Sequence, residues 1–229
     1  NDSHKKNRHF RRLIMTAFIE CTNVYKKLKG NLVLNDINLT IKKNEFVVLK
    51  GHNGSGKTMI LRAIAGLLKL TKGQSIVNNL VIGKDTDFSI NTGILIEYPS
   101  FIPVYTGYQN LKFLASINKK VSDQEIRKMI EQVGLDPEDK RKVKRYSLGM
   151  KQRLGLAQAL MESPSLLLLD EPTNALDKKG IQLITDLLKK EKEKGTTIVV
   201  ASHDETLTEN NIVDRVIHIS NGRLGEDNE

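Results

Sequence analysis

Between the apolar run Phe46-Val47-Val48-Leu49 and the helical pattern Met59-Ile60-Leu61-Arg62-Ala63-Ile64-Ala65 stands Gly51-His52-Asn53-Gly54-Ser55-Gly56-Lys57-Thr58. No other stretch constrains the chain so tightly, because the order is strand, glycine loop, helix. The spacing G-x-x-x-x-G-K-[ST] has a mechanical meaning: glycines let successive backbone N–H groups turn toward one anion, and the new helix aims its positive N-terminus there. A phosphate suits such a cradle. Lys57 is placed to reach β- and γ-phosphates as a point charge, and the Thr58 hydroxyl to ligate the Mg²⁺ that bridges them. The alternative, an ordinary Gly-rich turn, is disfavoured by the strand before it and the helix after it.

A length of 229 residues, 39% hydrophobic and 28% charged, fits one large domain or a domain with an inserted lobe, and the second is favoured. No apolar run nears the roughly 18 residues a membrane helix needs, so a membrane role would be borrowed from a partner. The one cysteine, Cys21, excludes an internal disulfide or a cysteine metal cluster and suits a reducing compartment. It reads as a small strand residue. The formal net charge of +9 invites nucleic acid until it is divided along the chain. Lys5, Lys6, Arg8, Arg11 and Arg12, less Asp2, place +4 before Met15 and leave +5 for the rest. Residues 1–14 are therefore set apart as a basic tail, with Met15 as a candidate natural start preceded by foreign residues.

Strands are expected at Ala17–Thr22, Leu32–Leu34 and Ile37–Ile41, the last two flanking Asn35-Asp36, so that an antiparallel β layer precedes the phosphate loop. Tyr25 could stack on a purine ring or be a half-buried tyrosine at a sheet edge. Short strands around Ser75–Ile82 and Thr92–Ile96 follow the first helix. From Pro99 to Met161 the alternation gives way to helical patterns at Tyr108–Ile117, Asp123–Val133 with Ser122 as N-cap, and Leu148–Met161. This reads as a helical lobe inserted between strands. The charge run Leu135–Lys142 reads as a solvated loop.

Ser165-Leu166-Leu167-Leu168-Leu169 is apolar on both faces, as in the middle of a parallel sheet, and runs into Asp170-Glu171-Pro172. Carboxylates at that end of a strand sit where doubly wound sheets bind ligands, and adjacent side chains point apart. Asp170 is expected to hold Mg²⁺ with its water shell, and Glu171 to orient or deprotonate a water attacking the γ-phosphate. After a helix at Lys178–Lys194, Thr197-Ile198-Val199-Val200-Ala201 delivers Ser202-His203-Asp204 to the same sheet edge, within reach of a γ-phosphate. A hairpin around Asn221-Gly222 closes the chain.

Together these motifs make residues 16–225 resemble the ATP-binding subunit of an ABC transporter. Gly51–Thr58 resembles Walker A, Leu166–Glu171 Walker B, Asn174-Ala175-Leu176-Asp177 the D-loop, His203 the switch histidine, and Tyr25 the adenine-stacking aromatic. Tyr146-Ser147-Leu148-Gly149-Met150-Lys151-Gln152-Arg153 is similar to the signature L-S-G-G-Q with its following basic pair. Ser147 and the N–H groups of Leu148 and Gly149 crown a second helix N-terminus, which is another anion site. Two departures stand out: Leu148 and Met150 replace the first signature glycine and the glutamine, and Glu97 stands where the family usually has a glutamine. With Tyr98-Pro99-Ser100-Phe101 and Asn174, they resemble the bacterial exporters concerned with bacitracin-type antibiotics and lantibiotic immunity.

The resemblance implies an α/β P-loop NTPase: a RecA-like parallel sheet, the N-terminal antiparallel layer, and a helical subdomain near 99–161 within a domain of residues 15–229. It implies ATP and Mg²⁺ as cofactors, with the nucleotide held by Tyr25 and Gly51 through Met59, and the metal by Thr58, Asp170 and Glu97. Glu171, His203 and Glu97 would serve hydrolysis, while Ser147, Leu148, Gly149 and Met150 would meet the ATP of a second copy in a head-to-tail homodimer. Separate integral-membrane permease subunits are the implied partners, with a cytoplasmic location at the inner face of the membrane. Nucleic acid is not expected, and a soluble ABC ATPase acting on nucleic acid or ribosomes is the alternative. For Glu97 the residues alone leave a second reading, an exposed loop glutamate.

Overall fold

A computed structural model describes residues 17–203 and 211–225. The first strands form an antiparallel sheet in the order β2-β1-β4-β5: β1 (Ala17–Leu28), β2 (Asn31–Lys42), β4 (Lys72–Val77) and β5 (Leu80–Val81). The expected break between two short strands at Asn35-Asp36 is instead a bend within β2. Asp36 takes a left-handed φ of 59°, and the ladder to β1 shifts register nearby between Val24 and Lys26. An irregularity of this kind keeps the pairing while re-aiming side chains.

The second sheet has the order β10-β9-β3-β8-β7-β6, from β3 (Phe46–Lys50), β6 (Thr92–Leu95), β7 (Leu166–Asp170), β8 (Thr197–Ser202), β9 (Arg215–Ser220) and β10 (Arg223–Leu224). Only the β9–β10 pair is antiparallel. Its central strands bury both faces, as their unbroken apolar runs require. Val47, Leu49, Leu166, Leu168, Val199 and Ala201 pack with the antiparallel sheet and α1 (Lys57–Ala65). Phe46, Val48, Leu167, Leu169, Ile198 and Val200 pack with the helices of the other face.

Those helices are α2 (Gly107–Asn118), α3 (Asp123–Gln132), α4 (Leu148–Leu160) and α5 (Lys178–Glu193). Ser122 caps α3 as expected, and with Glu125 it forms a reciprocal box; Thr106 and Gln109 do the same for α2. Leu111, Ile126 and Leu154 share one core with the sheet, so the helical segment has no separate core. α4 lies directly on β6: a Cβ on Gly93 would come within 1.9 Å of the Ala159 carbonyl oxygen. Among the described residues no helix is long and apolar enough to cross a membrane.

Gly93→Ala is accordingly expected to destabilise the fold by about 1–3 kcal/mol through overpacking. Denaturant unfolding with an unchanged m-value and a wild-type midpoint would contradict this contact.

Candidate active site

Register decides where the functional side chains emerge. Leu49, Ala201 and Asp170 share one rung across β3, β8 and β7. The loop at Gly51, the pair Ser202-His203 and Glu171 therefore all leave the sheet within two residues of the same line. This is the carboxyl edge, where open parallel sheets bind ligands.

In the loop, Gly54 and Gly56 take φ of 82° and 110°, a region that L side chains rarely adopt. Lys57 is buried; its ammonium donates to the carbonyls of Gly51 at 2.7 Å and His52 at 3.2 Å, and lies 3.9 Å from Glu171 Oε1. His52 Nδ1 stays local, 2.9 Å from the Asn53 carbonyl oxygen. The closing hairpin supports the loop from behind. Gly222 N–H donates to the Ser55 carbonyl at 2.8 Å, and a Cβ on Gly51 would meet the Ile219 carbonyl oxygen at 2.3 Å. Helix α1 begins without a side-chain cap, whereas Thr106, Ser122, Ser147 and Asp177 cap α2 through α5. Its first N–H groups, together with a buried Ser55 hydroxyl that has no partner among the described residues, fit a phosphate group.

Thr58 Oγ1 donates to Asp170 Oδ2 at 2.8 Å. This small, all-oxygen donor pair fits Mg²⁺, which keeps several waters and takes further oxygens from substrate phosphates. Burial pushes the Asp170 carboxyl above its ordinary value; the Thr58 bond opposes the shift and the neighbouring Glu171 charge adds to it. Glu171 turns away from Asp170 through a left-handed φ of 47°. Its carboxylate is 2.7 Å from His203 Nδ1 and accepts from the Ser202 hydroxyl at 3.3 Å. Its backbone is pinned on both sides, the N–H to the Ala201 carbonyl at 2.8 Å and the carbonyl by Gln152 Nε2 at 3.0 Å. No role was expected for Arg62, for Gln152 beyond its place in the signature stretch, or for Ser202 beyond its place beside His203. Asp204 lies outside the described residues.

One cleft of about 590 Å³, well sized for a small-molecule ligand, is lined by Asn53 through Met59, Glu97, Asp170 and Glu171. Two of the expected residues take other partners in this structure. Glu97 lines the cleft, but its carboxylate pairs with Arg62 Nη2 at 2.7 Å, not with the Thr58–Asp170 pair. Tyr25 does not line the cleft. It packs beside Lys72, whose ammonium is 5.4 Å from the ring centre. The apolar wall beside the loop is aliphatic, made by Leu28, Leu32 and Val33. Leu28 and Leu32 stand exposed at 40% and 39%, and the only advance signal was two leucines flanking the polar turn Lys29-Gly30-Asn31.

Ser147, Gly149 and Met150 line a different cavity, with Ala175, Leu176 and Asp177. Ser147 accepts from Met150 N–H at 3.2 Å, and Leu148 is exposed. The signature thus lies outside the cleft of its own chain.

Residues 34–174 match the family described as ABC transporter. The chain belongs to that family. An uncharacterized ABC transporter ATP-binding protein of Bacillus subtilis (strain 168), YybJ, is 43% identical over 90% of this chain and 94% of its own length. The bacitracin transport ATP-binding protein BcrA of Enterococcus faecalis is 41% identical, covering 83% of this chain and 63% of its own. The lantibiotic transport ATP-binding protein SrtF of Streptococcus pyogenes is 38% identical, with 81% and 80% covered. Among solved structures, a dimeric post-hydrolysis state of the ATP-binding cassette MJ0796 bound to ADP and Pi superposes with a TM-score of 0.80 at 28% identity, covering 90% of this chain and 96% of that one. The ABC cassette described here is an α/β P-loop ATPase.

Asp170 gives a test with a definite sign. An acid whose carboxyl is raised by the fold favours folding below its unfolded value of 3.8, and that contribution is lost as pH rises through the raised value. At neutral pH its ionised form costs stability. Asp170→Asn should therefore raise the thermal midpoint in EDTA at pH 7, with the gain shrinking toward pH 3.8, and should abolish Mg²⁺-dependent tightening of nucleotide binding. A lowered midpoint across the whole pH range would refute the buried-charge account.

Proposed function

We propose that this ABC cassette binds MgATP in the cleft of Lys57, Thr58 and Asp170 and hydrolyses it when two copies pair head to tail. On this reading, opening and closing of the pair drives separate permease subunits at the inner face of the membrane. The observation that carries the reading is the placement of Glu171. Its carboxylate stands at the cleft, held by Ser202 and His203, 3.9 Å from the Lys57 ammonium. Lys57 would bind the β- and γ-phosphates, Thr58 and Asp170 would hold Mg²⁺, and Leu28, Leu32 and Val33 would face the base. When bound there, Mg²⁺ would supply charge neutralisation between the terminal phosphates. Glu171 would orient the attacking water and accept its proton, while His203 would keep the carboxylate aimed.

Three observations support the pairing. Ser147 and Gly149 lie outside their own chain's cleft, the N-terminus of α4 is exposed, and the solved cassette that superposes on this chain is a dimer. The names of the bacitracin and lantibiotic transport proteins support peptide-antibiotic export or immunity as the transport task.

In Glu171→Gln the amide cannot accept a proton but keeps the side chain's size, so ATP should still bind while turnover falls by about 10²-fold or more. Light scattering should then show an ATP-stabilised dimer; unchanged turnover would assign the water to another group. Ser147→Arg places a long cation at the outward-facing helix N-terminus and should leave single-subunit ATP affinity intact while abolishing ATP-dependent dimerisation. Equal loss of monomer affinity, read by titration with a fluorescent ATP analogue, would defeat the head-to-tail arrangement.

A further inference from the structure

Glu97 stands at the edge of the nucleotide cleft with its side chain ion-paired to helix α1. Its φ is 59°, and it lines the cleft together with Thr58 and Asp170, so the residue is placed at the metal side of the cleft. From there the carboxylate reaches Arg62, which lies four residues after Thr58 and hence on the same face of α1. Arg62 also lines a second cavity of about 530 Å³, a groove between β6, α4 and the segment Tyr98-Pro99-Ser100. The Arg62–Glu97 pair is therefore the partition between the nucleotide cleft and this groove.

A third carboxylate beside Asp170 and Glu171 is unfavourable when it carries an uncompensated charge. Here Arg62 supplies the compensation from the helix that the phosphate loop starts. We propose that Arg62 is a positioning residue: its guanidinium holds the Glu97 carboxylate at the partition, setting how much of that negative charge the Thr58–Asp170 metal pair feels. This rests on the MgATP reading above. It gives the glutamate at position 97 a partner in this chain that a neutral glutamine would not need. A freely solvated loop glutamate is the competing account, and the pair is open enough, at 31% and 57% exposed, for that account to require a direct test.

The test is a double-mutant cycle read by the Mg²⁺ concentration that half-saturates the Mg²⁺-dependent tightening of a fluorescent ATP analogue, with unfolding midpoints to verify that each variant is folded. The variants are Arg62→Met, which keeps the length of the stem without its charge, Glu97→Gln, and the two combined. Released from Arg62, the Glu97 carboxylate should attract the metal, so Arg62→Met should lower the half-saturating Mg²⁺. The shift should be at least about threefold larger with Glu97 present than with Gln at that position. If Arg62→Met does not fold, Arg62→Lys carries the same test, because it keeps a cation but loses the planar fork, and the expected difference between backgrounds becomes about twofold. Equal shifts in both backgrounds, or none in either, with a normal wild-type Mg²⁺ response, would overturn the positioning role and leave the ATPase reading standing. A wild-type chain that shows no Mg²⁺-dependent nucleotide binding would overturn both.

Discussion

The common rung of Leu49, Ala201 and Asp170 is the constraint on which the rest of the structure depends. A parallel ladder fixes the relative height of its strands, and these strands are buried on both faces. A slip of one residue would exchange the Val47 and Leu49 set, packed toward α1, with the Phe46 and Val48 set, packed toward the helical side. The apolar core therefore sets chemistry it does not touch. It brings the start of the phosphate loop, the Thr58–Asp170 bond and the Ser202-His203 pair to one edge, with no catalytic group having to choose its own position.

Against that rigid edge, Glu171 stands in a conformation that non-glycine residues seldom adopt, and such strain persists only where the surroundings over-determine it. The N–H bond to Ala201, the bond from Gln152 to its carbonyl, and the two contacts to its carboxylate supply four such determinants. The turn also resolves how two adjacent acids avoid one job. Asp170 completes the strand and faces Thr58, while the left-handed step swings Glu171 toward β8 and His203. Gln152 belongs to the helix that Ser147 opens, so the signature helix and the Walker B acid are joined by a direct hydrogen bond.

Features carried by short, contiguous spacing were legible in the sequence: the phosphate loop, the buried strand ending in Asp170, the Ser122 cap, and the order of strands and helices. Features that depend on which side chain fills a given space were not. Tyr25 is the aromatic in the right region, yet β1 runs on to Leu28, and it is Leu28 that reaches the cleft wall. Alternation alone could not show this, because the β1–β2 ladder shifts register between Val24 and Lys26 and again between Lys26 and Lys27. Glu97 was legible as a departure from the family but not as a member of an ion pair, since Arg62 reads in sequence as one more polar position on an amphipathic helix.

The signature stretch shows why a departure can fall at one residue and not at its neighbour. A Cβ on Gly149 would come within 2.7 Å of the Ala175 carbonyl oxygen, on a D-loop residue that is itself held at a φ of 61°. Backbone on that side cannot yield as a flexible side-chain tip would, so position 149 has to remain glycine. Position 148 faces the other way: Leu148 is 50% exposed and meets no such wall. Position 150 has a third environment, where Met150 packs half-buried against the helical core and lends its N–H to the Ser147 hydroxyl, a bond any residue except proline could make. The replacements Leu148 and Met150 thus change surface and packing but leave the capped helix start intact. In the proposed dimer, burying Leu148 against a second copy would add apolar contact of about 25 cal/mol per Å² at the seam where the signature meets phosphate.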